Sequence, residues 1–493
     1  MIYNFNLGIG WASSGVEYAQ IYRARMLRNI GVDAKFVFTD MFPQENIEHM
    51  TKNIGFEDSE VIWLYTFFTD FKTAPVTYTL SDLEKTFSNT EYTKSREGKI
   101  CRYVFGGSNN FYTAYMVNDH DDFVHRVEMV SNGCLIRKDY FTYGRVYSEY
   151  YAPLDNAAHL YHRRFFNVDG SVAYEEMIDD DKVMYKFKDK MLCSKEEFVG
   201  YMVSQLNLTS DDIVIIDRTT DIGQAIMMNC KPAKVGITVH ADHFSEKDTN
   251  DDYILWNNYY EYDFNMHKHV DFYVCATQDQ SDLMKAQFEK YYGVTPNMYT
   301  IPVGSLPELK YPKEGRKPYS LITASRLASE KHVDWICKAV IQARSEVPEL
   351  SLDIYGVGGE REKLETIIRD NNASSYIHLM GQHDLSEVYQ NYEAYIAGST
   401  SEGFGLTLME AVGGGLPIIG FDVRYGNPTF IRNGENGYLI DLPEEDKDRI
   451  EALRKGIVDL FKQDLEKCHS VSYEVAKDFL TSNVQEKWRE AVC

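Results

Sequence analysis

Apolar positions along this chain follow two rhythms, and the switches between them predict its architecture. Residues 2–7 form a short apolar run, 8–15 a glycine and serine loop, and 16–28 a stretch with helical period. A strand over 34–40, a helix over 44–54 and a strand over 61–66 continue that alternation. Between about residues 80 and 190 the pattern changes to short aromatic and β-branched runs separated by turn residues, including Asn132-Gly133 and Asp169-Gly170. Asn-Gly or Asp-Gly between alternating runs marks a tight hairpin, so an antiparallel β-meander is expected here. From Lys195 the first rhythm returns, with helices over 196–206, 222–229 and 281–292 and strands over 213–217, 233–239, 270–276 and 298–301. After a stretch rich in Pro, Gly and charge that ends at Pro318, strands over 320–324, 350–355, 377–380 and 395–397 alternate with helices over 333–344 and 360–370. Such alternation implies a parallel sheet covered by helices on both faces.

The predicted fold class is therefore α/β with an antiparallel β insertion. A first doubly wound domain takes residues 1–75 and 195–304, the meander 76–194, a linker 305–318 and a second doubly wound domain 319–472. A C-terminal helix over 473–493 is expected to pack back on the first domain.

Composition narrows what this architecture does. At 493 residues the chain exceeds the size at which a single core keeps growing. A net charge of -24 argues against a general nucleic-acid or anionic-membrane surface, which needs clustered Lys and Arg, so functional cations should be few and placed. The eight cysteines are dispersed without a C-x-x-C pair. The N-terminus has no basic and apolar leader, and no window approaches 18 apolar residues. A cytoplasmic, reduced protein is expected, with at most peripheral membrane association.

The candidate chemistry gathers after strands of the second half. The run 401–411, Ser-Glu-Gly-Phe-Gly-Leu-Thr-Leu-Met-Glu-Ala, places Glu402 at a helix mouth and Glu410 two turns in on nearly the same face. A helix N-terminus offers unpaired N–H groups to a phosphate, Gly403 and Gly405 allow close approach, and the two glutamates can accept hydrogen bonds from sugar hydroxyls. The loops 325–331, 355–360 and 381–384 should share that sheet edge. Arg326 and Lys331 would then neutralise a diphosphate leaving group as its charge develops. In the first half, the strand over 233–239 ends in His240-Ala-Asp-His243. With no third ligand at a definite spacing, a histidine bonded to sugar or phosphate is the better reading than a metal site. The loop at 8–15 is not G-x-G-x-x-G and supports no dinucleotide fingerprint.

Ser325-Arg326-Leu-x-x-Glu-Lys331 followed by Glu402-Gly-Phe-Gly-x-x-x-x-Glu410 resembles the retaining GT-B glycosyltransferases of family four. The opening run 6–18 and the β-rich insertion are similar to the catalytic subunits of accessory Sec protein O-glycosyltransferases, and the resemblance covers essentially the whole chain. It implies two Rossmann-like domains facing across a cleft, a UDP-sugar donor (typically UDP-GlcNAc), retention of anomeric configuration, and no metal or other cofactor. The implied acceptor is the Ser/Thr hydroxyls of a serine-rich repeat adhesin, and the implied partner is a GtfB-like subunit of related fold without turnover, bound through the inserted sheet. By motif, Gly15, Val16, Glu17 and Tyr18 would approach the UDP and His240 the donor sugar. Gln382 and His383 would meet the nucleotide, and Arg326 and Lys331 the diphosphate. Glu402, Gly403, Phe404 and Gly405 would meet sugar and phosphate, and Glu410 the ribose. UDP-glucose as donor, a teichoic-acid-type poly(polyol-phosphate) glucosyltransferase and a non-catalytic acceptor-binding subunit remain open alternatives.

Overall fold

The computed structural model describes residues 1–9, 15–107 and 109–493. Of the loop read between Gly8 and Gly15, residues 10–14 lie outside the described residues. The first doubly wound pattern forms a seven-stranded sheet in the order Met298–Thr300, Phe272–Cys275, Lys234–Val239, Ile213–Ile216, Ile2–Asn6, Ala34–Phe38, Val61–Trp63. Its central strand Ile213–Ile216 is buried at every position, as expected where helices cover both faces. The apolar run predicted as a strand over 61–66 is a strand only over Val61–Trp63 and then turns into the short helix Leu64–Phe67.

The aromatic and β-branched stretch folds as one ten-stranded antiparallel meander from Thr93–Glu97 to Met191–Leu192, each strand beside its neighbour in sequence. At Asn132-Gly133 both residues take the left-handed conformation (φ 49° and 77°) and Ser131 pairs with Cys134, the geometry a two-residue primed turn demands. Two further hairpins turn without glycine, at Asp155-Asn156 (φ 48° and 61°) and Asp180 (φ 55°). Short polar side chains tolerate left-handed backbone there, so neither carries the Asn-Gly or Asp-Gly signal. Within the sheet, half-buried Arg163 bridges Glu149 and Glu176, at 2.9 Å to each. Ile136, Leu154, Tyr161, Val172 and Met184 remain exposed along it.

The second pattern forms a six-stranded parallel sheet, Ile377–Gly381, Ser351–Tyr355, Ser320–Ala324, Ala394–Ile396, Ile418–Phe421, Gly437–Ile440. Trp335, Ile336 and Val340 of the helix Val333–Ala343 pack into its core with Leu352, Ile354 and Leu453. Where one C-terminal helix is expected over 473–493, there are two, Leu465–Lys477 and Thr481–Val492. The break occurs because Leu306 donates its N–H to Phe479 O (2.8 Å) and accepts at its own carbonyl from Thr481 N–H (2.9 Å), which diverts the helical ladder. By packing, the described chain forms two compact units, Met1–Ala24, Val32–Thr238 and Asn258–Asp271 in one and Arg25–Gly31, Val239–Asn257 and Phe272–Cys493 in the other. Among the described residues, no helix is long and apolar enough to cross a membrane.

Candidate active site

Parallel strands deliver their following loops to one sheet edge, and in the second unit those loops are laced together. Ser325 N–H donates to Tyr355 O (3.1 Å), Leu327 N–H to Val357 O (3.0 Å) and Glu360 N–H to Leu327 O (3.0 Å). The lacing requires glycine. Gly356 has φ +131°, and a Cβ added there would come within 1.9 Å of Ser325 O; one added at Gly358 would come within 2.4 Å of Leu327 O. The loop 325–331 is thereby held against its neighbour, and it delivers Lys331 inward.

Lys331 Nζ lies 2.6 Å from Glu402 Oε2, with about one-fifth of each side chain exposed. Residues 71 apart in sequence thus meet as a charge-assisted hydrogen bond. Arg326 takes a different place. Its side chain is 78% exposed and pairs with Glu330 (3.1 Å) in its own loop, so of the two predicted cations only Lys331 touches Glu402. Glu402 itself is fixed through its main chain: its N–H donates to Arg424 O (3.1 Å), and its carbonyl accepts from Tyr425 N–H (2.6 Å) and Gly426 N–H (2.7 Å).

Gly405 has φ +84° and caps the helix Leu406–Gly413. Because the helix starts after this left-handed residue, Glu402 lies outside it, and Glu410 is its fifth residue, one turn in rather than two. The expected sharing of a helix face by the two glutamates does not occur. Glu410 accepts from Tyr389 Oη (3.0 Å), and burial raises its pKa above the ordinary carboxylate value. Phe404 turns its ring into the core against Phe430 and Phe479, so only its main chain faces the turn. Gln382 and His383 are exposed after the strand Ile377–Gly381, with His383 Nε2 2.8 Å from Met380 O.

His240 directly follows the strand Lys234–Val239, and its carbonyl would lie 3.1 Å from a Cβ placed on Gly403. The backbones of the two predicted segments therefore adjoin. Beside them, Asp242 and His243 of the same predicted segment meet two residues that the sequence did not single out, Arg424 and Tyr425. Tyr425 Oη donates to Asp242 Oδ1 (2.7 Å) and is 3.1 Å from His243 Nδ1, while Arg424 pairs with Asp242 (3.4 Å) and Glu246 (3.3 Å). Burial pushes the His243 imidazole down to about 4, so it is neutral near pH 7. Tyr425 follows the strand Ile418–Phe421 at the same sheet edge, a position that was the available signal. Among the described residues, no group of three or more His, Cys, Asp or Glu is placed to hold a metal ion.

In the first unit, the helix Gly15–Asn29 carries the remaining predicted residues. Among the described residues no atom lies within 4 Å of a Cβ placed on Gly15; Val16 is half-buried and Tyr18 is 46% exposed. Glu17 is buried and pairs with Arg218 (3.4 Å), so its carboxylate is committed within the unit. Further along this helix, buried Arg23 forms a bidentate pair with Asp217 (2.7 and 2.9 Å) and also reaches Asn4 (2.8 Å) and Thr238 (3.1 Å).

Residues 93–189 match the GtfA extended beta-sheet domain, and residues 309–478 match the family Glycosyl transferases group 1. The chain is 51% identical to the UDP-N-acetylglucosamine–peptide N-acetylglucosaminyltransferase GtfA subunit of Streptococcus agalactiae, over 99% of this chain and 97% of the relative. It superposes with a TM-score of 0.90 on the pneumococcal O-GlcNAc transferase GtfA solved with UDP and GlcNAc, at 49% identity over 100% and 98% of the two chains. Against a chain of the solved GtfA/B complex the TM-score is 0.96, at 52% identity over 100% and 99%. A more distant relative, the poly(glycerol-phosphate) alpha-glucosyltransferase of Bacillus subtilis, is 25% identical over 79% of this chain and 57% of its own.

Proposed function

Because the chain belongs to the family of GtfA subunits of UDP-N-acetylglucosamine–peptide N-acetylglucosaminyltransferases, with the GT-B fold, we propose that it transfers GlcNAc from UDP-GlcNAc to Ser and Thr hydroxyls of a serine-rich repeat protein. The observation that carries this reading is the 2.6 Å contact of Lys331 with Glu402 at the mouth of the helix Leu406–Gly413. A diphosphate entering there competes with Glu402 for the ammonium. The freed carboxylate then accepts from sugar hydroxyls while Lys331 meets the charge on the departing UDP. Arg326, largely exposed, leaves Glu330 for the same phosphates.

The acceptor oxygen attacks C1 on the face that UDP leaves. The C1–O bond to the β-phosphate breaks, the bond from C1 to the Ser or Thr oxygen forms, and the hydroxyl proton passes to a β-phosphate oxygen. In this reading Lys331 and Arg326 supply the positive charge and no metal ion or other cofactor takes part. Gly15 to Tyr18 approach the UDP, His240 the donor sugar, Gln382 and His383 the nucleotide, and the Glu410 carboxylate the ribose. The ten-stranded sheet, with its exposed Ile136, Leu154, Tyr161 and Val172, binds a GtfB-like partner and helps hold the acceptor. The site of action is the cytoplasm, with peripheral attachment at the membrane's inner face.

The test offers UDP-GlcNAc, UDP-Glc and UDP-GalNAc, each labelled, to the purified chain with its partner subunit. A serine-rich peptide and a poly(glycerol phosphate) serve as alternative acceptors. Label should pass from UDP-GlcNAc to the peptide. Transfer to the polyol phosphate, or preference for UDP-Glc, would replace the proposed reaction with another.

A further inference from the structure

We propose that Tyr425 is a positioning residue of the transfer site, its hydroxyl joining the segment His240 to His243 to the turn that carries Glu402. The inference rests on the glycosyltransferase reading above. It assigns a role to a residue that bears no catalytic motif.

Main-chain bonds make residues 424–426 and Glu402 one rigid piece. The Glu402 carbonyl accepts from two consecutive N–H groups, and its own N–H donates to Arg424. Gly426 is required for that closeness, since a Cβ there would lie 2.3 Å from Phe404 O and 2.9 Å from Glu402 Cγ. Displacing Tyr425 therefore displaces Glu402. The other end of Tyr425 is fixed by its side chain, which is 1% exposed and whose ring stacks on His243 with centroids 6.0 Å apart.

Proton inventory decides what the hydroxyl does. His243 Nε2 lies 2.7 Å from Gln287 Oε1, an acceptor, so Nε2 holds the proton of the neutral ring and Nδ1 presents a lone pair. Asp242 Oδ1 is also an acceptor. The Tyr425 proton is thus shared between two acceptors, a carboxylate at 2.7 Å and an imidazole nitrogen at 3.1 Å. Burial and Asp242 both keep the phenol protonated well above its ordinary titration range. Among the described residues, removing the hydroxyl leaves the buried His243 Nδ1 lone pair without a donor and takes a 2.7 Å hydrogen bond from Asp242, which keeps its ion pair with Arg424, so the His240 segment is loosened from the Glu402 turn. Glu410 stands outside this frame, held by Tyr389, and Lys331 meets it only through the Glu402 carboxylate, the contact that an entering diphosphate replaces, so binding of the UDP moiety depends on the frame less than transfer does.

The test is Tyr425→Phe, which keeps the ring. We expect kcat for GlcNAc transfer to fall about 10-fold to 100-fold, while the Kd for UDP and the KM for UDP-GlcNAc change less than about twofold. In a double-mutant cycle with Asp242→Ala, the double variant should be no slower than the slower single variant, because both remove one bond. Acceptor-free release of UDP from UDP-GlcNAc is measured in parallel. A wild-type protein that hydrolyses the donor but labels no peptide refutes the acceptor assignment and leaves this inference testable on hydrolysis. Equal kcat for wild type and Tyr425→Phe, an equal loss in UDP affinity, or additive effects in the cycle would overturn the positioning role.

Discussion

Replacing Asp263 with Asn should flatten the dependence of stability on pH between about pH 4 and pH 7. Asp263 lies in the short helix Glu261–Asn265 and is 0% exposed, and among the described residues neither carboxyl oxygen has a hydrogen-bond partner. The neighbouring Thr219 hydroxyl gives its proton to Tyr259 O (2.6 Å), and a Cβ on Gly223 would meet Asp263 Oδ1 at 3.2 Å, so that backbone closely walls the carboxyl. Burial pushes the carboxyl up to about 7 from an ordinary 3.8. A rise from 3.8 to about 7 corresponds to about 4 kcal/mol. The sign follows from linkage. The folded form holds this proton more tightly than the unfolded form, so the contribution is complete below pH 4 and is lost as pH rises to 7, at about 1.4 kcal/mol per unit. Above pH 7 it is constant. Urea midpoints of wild type and Asp263→Asn, measured at pH 4.5, 6 and 8, isolate this group from all other titrations. The difference should move in favour of the variant as pH rises. Its level is lowered by the cost of an unpartnered buried amide, about 1–3 kcal/mol, but its slope is not. Parallel curves would mean that Asp263 is ionised throughout and would refute the reasoning.

Further outcomes follow from the site. Lys331→Ala should lower kcat for transfer about 100-fold to 1000-fold, as removal of a group aimed at developing charge does, whereas Arg326→Ala should leave the melting temperature unchanged because its side chain is 78% exposed. Glu410→Gln keeps an acceptor for Tyr389 but loses the carboxylate, so calorimetry should show UDP bound about 10-fold to 100-fold more weakly. Gly356→Ala should abolish UDP binding, since its Cβ would fall 1.9 Å from Ser325 O and unlace the loops. Transfer rates in EDTA should equal those without it; a loss restored by a divalent cation would contradict the metal-free reading.

Much of this was legible because its causes are local. Period-3.6 and fully apolar runs mark the helices and buried strands of both parallel sheets, and Asn132-Gly133 marks its hairpin because few other pairs adopt two left-handed residues cheaply. The glycine-rich turn after Glu402 is also local, and Gly405 takes the positive φ that a cap requires. What escaped depends on packing between distant residues. The helix boundary after Gly405 moved Glu410 to one turn in, and the split near residue 479 arises from Leu306, some 170 positions away. Arg326 and Lys331 read alike as cations in one loop, yet only Lys331 is turned toward Glu402. Phe404 looks like part of a ligand cradle but fills the core beside Phe430. Tyr425 is unremarkable in sequence, since its function lies in Asp242 and His243, which pair with it across 180 residues.

The central claim is retaining transfer of GlcNAc at the Glu402 turn, and proton NMR of the glycosylated peptide tests it most directly. The wild-type protein with its partner and UDP-GlcNAc should yield a Ser- or Thr-linked GlcNAc whose anomeric coupling matches that of the donor, and Glu402→Ala should yield almost none. A product of inverted configuration, or an undiminished yield from Glu402→Ala, would contradict the account.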